Sequence, residues 1–131
     1  MKKISSVFKA IGDETRLKML ALLLRKGELC VCDFVEVLGI THSKASRHLR
    51  YLHNSGLVAD RRQGLWVHYR IASAGDNKWM VPIVEGLKKL IKNEMFEDLF
   101  KKINKWEKIS GPPDERCGDG SQEKKRVMRT W

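Results

Sequence analysis

A mainly helical fold with one small β-hairpin is predicted by three observations along this chain of 131 residues. Apolar residues recur at helical spacing through 13–26, 43–55 and 78–106. Between the last two of these runs, LVADRRQGLWVHYRIA (57–72) alternates like a strand pair. Just before the hairpin, two short helical stretches are joined by a turn containing Gly39. That order, helix, tight turn, helix and hairpin, is a winged helix-turn-helix.

Each element has a local justification. A short helix over Ile4 to Ala10 is expected to bury Val7 and Phe8. In DETRLKMLALLLRK (13–26), Asp13 is placed to cap a helix and Gly27 to stop it. Leu17, Leu20, Ala21 and Leu24 mark its inner face, and Met19, Leu22 and Leu23 widen that face, so this helix is predicted to be central. A helix of two turns fits Asp33 to Leu38, ended by Gly39. Thr41 or Ser43 caps the next, in which Ala45, His48, Leu49 and Leu52 share one face. Ser43, Ser46, Arg47 and Arg50 fall on the other face. The hairpin turns near Gln63 and Gly64.

The last periodic run reads as one helix of about eight turns within 76–109, with Pro82 in its first turn. Its stripe is too long for so small a core, so a second copy is the expected cover and the fold is predicted to be homodimeric through this helix. Met80, Ile83, Val84, Leu87, Leu90 and Ile91 are the candidate interface residues. Residues 1–109 then form one DNA-binding and dimerisation domain. The Gly-, Pro- and charge-rich segment 110–131, which carries Cys117, reads as a flexible tail.

Charge points to the partner. Lys and Arg number 26 against 16 acids, a net charge of +10. Residues 41–70 concentrate it, with six Lys/Arg (Lys44, Arg47, Arg50, Arg61, Arg62, Arg70) against Asp60 alone. All four histidines, His42, His48, His53 and His68, lie in the same window. A basic patch on a helix-turn-helix suggests double-stranded DNA. His42, Ser43, Lys44, Ser46, Arg47 and Arg50 would face the major groove, and Arg61, Arg62 and Gln63 on the wing would hold the backbone or reach a minor groove. His42 and His68 are candidates to face phosphate or base edges; His48 is expected to be packed and hydrogen-bonded, and His53 solvated. No nucleophile–base pair, phosphate-binding glycine loop or catalytic carboxylate pair stands out, so an enzyme is not expected. The longest apolar run, MLALLL (19–24), is far short of the ~20 residues that span a bilayer, so no membrane role is expected. The N-terminus lacks an apolar stretch of about 7–15 residues, which argues against secretion and for a cytoplasmic protein.

FKAIGDETRLKMLALLL, ELCVCD, THSKASRHLRYLHNSGLV and RRQGLWVHYRI follow one another here in the order and spacing of the ArsR/SmtB metalloregulators. Over roughly residues 7–71 the chain resembles that family, and its ELCVC stretch resembles the arsenic-sensing branch. The resemblance implies a homodimeric repressor of a metalloid-resistance operon, released from its operator when As(III) or Sb(III) binds cysteine thiolates. Cys30 and Cys32 match the thiol box, whereas its usual third cysteine is replaced by Val35. The absence of histidine after His68 removes the zinc site that other members carry on the dimer helix.

Trivalent arsenic takes three soft donors, and thiolates are the soft donors available. Helical residues two apart point about 200° from each other, whereas extended residues two apart share a side. One ion therefore bridges Cys30 and Cys32 only where the segment is not regular helix, and chelation is expected to distort the start of the first reading helix. Cys117, eight residues past the helix, is the candidate third donor, from the same subunit or its partner. Three alternatives stand beside this reading. The cysteines are core residues; the fold senses oxidants through a disulfide, or Cd, Pb or Zn through the thiols; or the protein buffers soft metals and binds nucleic acid by charge alone.

Overall fold

The structure, a computed structural model, describes residues 2–73, 78–92 and 94–111. Helix α1 (Lys2–Ile11) is followed by α2 (Glu14–Lys26), strand β1 (Glu28–Cys30), α3 (Val31–Leu38) and α4 (His42–Ser55). Strands β2 (Val58–Gln63) and β3 (Trp66–Ile71) come next, then α5 (Val81–Leu90) and α6 (Glu97–Ser110). Single 3-10 turns at Lys78–Met80 and Glu94–Phe96 lead into the last two helices. The winged helix-turn-helix is present as the pattern predicts.

Local signals account for most boundaries. Asp13 Oδ2 accepts from the Arg16 amide at 3.0 Å, and Gly27 ends α2 with φ at +87°. Thr41 Oγ1 accepts from the Lys44 amide at 3.1 Å, so Thr41 rather than Ser43 is the cap of α4. Gly39, at φ +65°, turns the chain between α3 and α4, a conformation that side chains rarely adopt. Helix α2 is central, with Met19, Leu20, Ala21, Leu22 and Leu23 all buried against Phe34, Leu49, Leu52 and Leu57. In α1 it is Val7 and Ala10 that are buried; Phe8 is 59% exposed, contrary to expectation, because it lies about 100° round the helix from Val7, over an open hollow facing α5.

Two features depart from the sequence reading. The hairpin gains a third strand: β1 pairs antiparallel with β3, giving the order β1-β3-β2, with Cys30 opposite His68. Three residues are too few for alternation to announce a strand. The long C-terminal helix is also not continuous. It breaks between Leu90 and Glu97, and α6 packs back on α2 and α3. Met80, Leu87, Phe96, Phe100, Ile103 and Trp106 are thereby buried within one chain. A straight helix would carry Trp106 about 24 Å beyond Leu90, at 1.5 Å per residue, away from the core these side chains cover. Lys26 fastens the return, reaching Glu107 Oε1 and Asn104 Oδ1 at 2.6 Å each. Within the protomer the apolar stripe 79–106 is therefore divided, part of it covered by the chain's own core. Of the six residues expected there, Met80 and Leu87 are buried in the protomer, Ile83, Val84 and Ile91 are half-buried, and Leu90 is 56% exposed. Helix α6 runs on through Ser110, one residue past the expected division at 109; Cys117, with the rest of the tail from 112 on, lies outside the described residues.

Candidate DNA-reading surface and thiol site

The basic edge of α4 is built by its own periodicity. Ala45, Leu49 and Leu52 anchor one face in the core, which leaves His42, Ser43, Lys44, Arg47 and Arg50 exposed and Ser46 half-buried. No acid occupies the first turn of this helix, so nothing there repels a phosphate. Its seating is controlled by Arg16 of α2, which the sequence reading did not single out. Arg16 Nε donates to the Ala10 carbonyl at 2.9 Å, Nη1 lies 3.2 Å from His48 Nδ1, and the guanidinium stacks on the Tyr51 ring at 4.0 Å. Arginine only donates, so His48 Nδ1 is the acceptor. Desolvation holds the His48 pKa below its usual value against the attraction of Asp13, and the Arg16, Lys44 and Arg47 charges add to the lowering. His48 is thus packed and hydrogen-bonded, as expected.

On the wing, the three candidate residues divide. Arg61 grips the Glu28 carboxylate, with Nη2 at 2.6 Å and Nε at 3.0 and 3.1 Å, and donates to Gln63 Oε1 at 3.0 Å. The Arg61 hydrogen bonds hold the Glu28 carboxyl below the usual carboxylate range despite its desolvation. Arg61 therefore braces β1 against β2, and phosphate would have to compete for it. Arg62 is exposed beside the two-residue turn at Gly64 and Leu65. His68 does not face solvent: it is 1% exposed, across from Cys30, with Nδ1 at 3.7 Å from Glu28 Oε1. This corrects its assignment to phosphate or base edges. His53, exposed as expected, pairs with Asp60 at 3.3 Å.

Cys30 and Cys32 straddle the junction of β1 and α3. Cys30 ends the strand with extended backbone (φ −107°, ψ 170°), whereas Cys32 is the second helical residue. The expected need for a non-helical segment is thus half met before any ion arrives. Cys30 is buried, its sulfur joined in a disulfide, and Cys32 is half-buried and outside any disulfide. Asp33, buried at 1% exposure, accepts from the Cys30 amide through Oδ2 at 2.9 Å, and the same oxygen lies 3.3 Å from Cys30 Sγ. Its other oxygen accepts from Trp106 Nε1 of α6 at 2.7 Å. An acid three residues into a helix was a readable capping signal; the indole, 73 positions away, was not. Among the described residues no group of three His, Cys, Asp or Glu is arranged to hold a metal ion. Once a thiol reductant opens the Cys30 disulfide, the donor chemistry suits a thiophilic ion, with two thiols close in the chain and a third position to be filled.

No helix among the described residues is long and apolar enough to cross a membrane. A family model described as bacterial regulatory protein, arsR family, matches residues 13–60. The chain is 53% identical over 66 residues to the arsenical resistance operon repressor of Escherichia coli, covering 50% of this chain and 56% of that protein. It is 40% identical over 70 residues to an uncharacterized HTH-type transcriptional regulator of Methanocaldococcus jannaschii, covering 53% of this chain and 79% of that one. A solved homodimeric winged helix-turn-helix DNA-binding domain from Mycobacterium bovis, described as a possible ArsR-family regulator, superposes with a TM-score of 0.54 at 30% identity, covering 71% of this chain and 86% of that one. The matched region spans about half the length of the arsenic-resistance regulators it aligns with. None of these relatives is described as an enzyme.

Proposed function

Because the chain belongs to the arsR family of bacterial regulatory proteins, we propose that it represses a metalloid-resistance operon and releases the operator when As(III) or Sb(III) binds Cys30 and Cys32. One observation carries this reading. The two cysteines sit where β1 becomes α3, and α3 packs directly on α4, the helix with the basic edge. An ion that draws both sulfurs to one side must unwind the first turn of α3 and thereby shift α4. The relatives named as arsenic-resistance regulators support the choice of ion. A titration of operator release with arsenite, antimonite, cadmium and zinc on the reduced protein tests it; release by none of them would refute it. The third donor is Cys117 or an exogenous thiol.

In this reading His42, Ser43, Lys44, Ser46, Arg47 and Arg50 address the major groove, and Arg62 and Gln63 clamp the backbone, joined by Arg61 if it leaves Glu28. Arg47→Ala is expected to weaken operator binding by about 1–3 kcal/mol and random-sequence binding much less, as for loss of a bidentate base contact. Arg62→Ala should weaken both alike and flatten the salt slope. Identical behaviour of the two variants on every sequence would undo the division into reader and clamp.

The operator-binding form is a homodimer. An apolar hollow between α1 and α5, lined by Phe8, Ile11, Pro82, Ile83, Gly86 and Leu87, continues to exposed Leu90 at helical spacing. Exposed apolar side chains on two adjacent helices suit a second copy. Leu90→Glu combined with Phe8→Glu should give a folded monomer with weakened operator binding. A charge at Leu87, buried in the protomer, would test folding instead. A wild-type monomer at micromolar concentration in sedimentation would overturn this assignment.

The disulfide at Cys30 favours a second reading, in which oxidation of that sulfur is itself the signal. Release of the operator by peroxide without metalloid, reversed by dithiol, would support it.

A further inference from the structure

We infer that Trp106 of α6 is a positioning residue for the thiol site, and that its hydrogen bond to Asp33 breaks when the site is loaded. This rests on the proposed reading of Cys30 and Cys32 as the inducer site and adds a route by which its state reaches the C-terminal helix. The Asp33 carboxylate is divided between two elements. Oδ2 faces the thiol turn, accepting from the Cys30 amide at 2.9 Å and lying 3.3 Å from Cys30 Sγ. Oδ1 faces α6, accepting from Trp106 Nε1 at 2.7 Å. Both side chains are buried, and Phe100 and Ile103 pack the rest of α6 onto the core. A buried carboxylate with donors on opposite sides cannot follow one without straining or losing the other, since each contact is directional and water is excluded.

Once a thiol reductant has opened the Cys30 disulfide, Cys30 is the residue that must move. It is extended while Cys32 is helical, so bridging the two sulfurs requires rotation of the Cys30–Val31–Cys32 backbone. That rotation carries the Cys30 amide and sulfur away from Oδ2. Asp33, in the first turn of α3, is released on that side and turns with the unwinding helix start, and the Trp106 indole loses its acceptor. The bond between Asp33 and Trp106 is thus a two-state strut, which is the physical requirement for coupling between distant elements. The coupling is reciprocal: a helix α6 held firmly by Asp33 resists distortion of the thiol turn.

The test uses the full chain, reduced and labelled with indole-15N tryptophan. Its four tryptophans give four indole resonances, and Trp106 is assigned by its loss in Trp106→Phe. Arsenite is expected to shift the Trp106 resonance as the ultraviolet sulfur-to-arsenic absorption appears, leaving Trp79, in the turn before α5, unmoved. Appearance of that absorption with a stationary Trp106 resonance would overturn the inference and leave the proposed inducer site standing. Absence of the absorption would instead refute the inducer site, and a second arm then decides for the strut. In reduced protein, Trp106→Phe should speed alkylation of the ELCVC cysteines by about threefold or more, within the range of coupling through packed networks. An unchanged alkylation rate in a variant that still binds DNA would overturn it whatever the inducer is.

Discussion

Replacing Cys30 and Cys32 together by serine is expected to leave operator affinity within about threefold of wild type and to raise the arsenite needed for release by at least about 100-fold, because the soft donors are lost. Structural reasons separate the two effects. Serine differs from cysteine by one atom, and at Cys30 it would occupy the cap position of α3, where a hydroxyl is among the best residues. Asp33 can still accept from the backbone amide at position 30, so the turn keeps its hydrogen bond. None of the exposed residues of α4 is touched. The double variant should therefore be a repressor without an input. Fluorescence anisotropy of labelled operator, titrated with arsenite under reducing conditions, reads both quantities at once. Release at the wild-type arsenite concentration would mean that ELCVC is core packing and that the inducer binds elsewhere.

Ile103→Ala is expected to cost about 2–5 kcal/mol of unfolding free energy, the range for removing a large aliphatic side chain from a close-packed interior. Met95→Ala should change it by less than about 0.5 kcal/mol, as for exposed positions without special contacts. Both residues belong to the same apolar stripe at helical spacing and would share a fate in a continuous dimer helix. In the folded chain they do not, because Ile103 is wholly buried while Met95 is 73% exposed at the bend before α6. Denaturant unfolding of the two variants at several protein concentrations distinguishes the cases. Equal, concentration-dependent losses would indicate that the stripe is buried between subunits and that α6 does not return to its own core.

What could be read from the sequence was whatever depends on neighbours a few residues apart. Asp13 marks one cap and Thr41 or Ser43 the next, Gly27 and Gly39 mark helix ends, and the change of period before 57–72 marks the wing. These signals are legible because a helix or a hairpin is defined by contacts between i and i+4 or across a two-residue turn. The exposed edge of α4 and the placing of two cysteines at the start of α3 followed from the same local rules. A third strand of only three residues did not, nor did the burial of His68 beside it, because its pairing joins Cys30 to a position 38 residues away. The stripe beyond Lys78 is equally legible as apolar, but periodicity states which face of a helix avoids water, never which surface covers it. The return of α6 onto α2 and α3 was decided by the fit of Phe100, Ile103 and Trp106 to the core and by Lys26 meeting Glu107. The bond from Trp106 to Asp33 belongs to the same class: its two ends are chosen by tertiary packing, since no local interaction connects residues 73 apart.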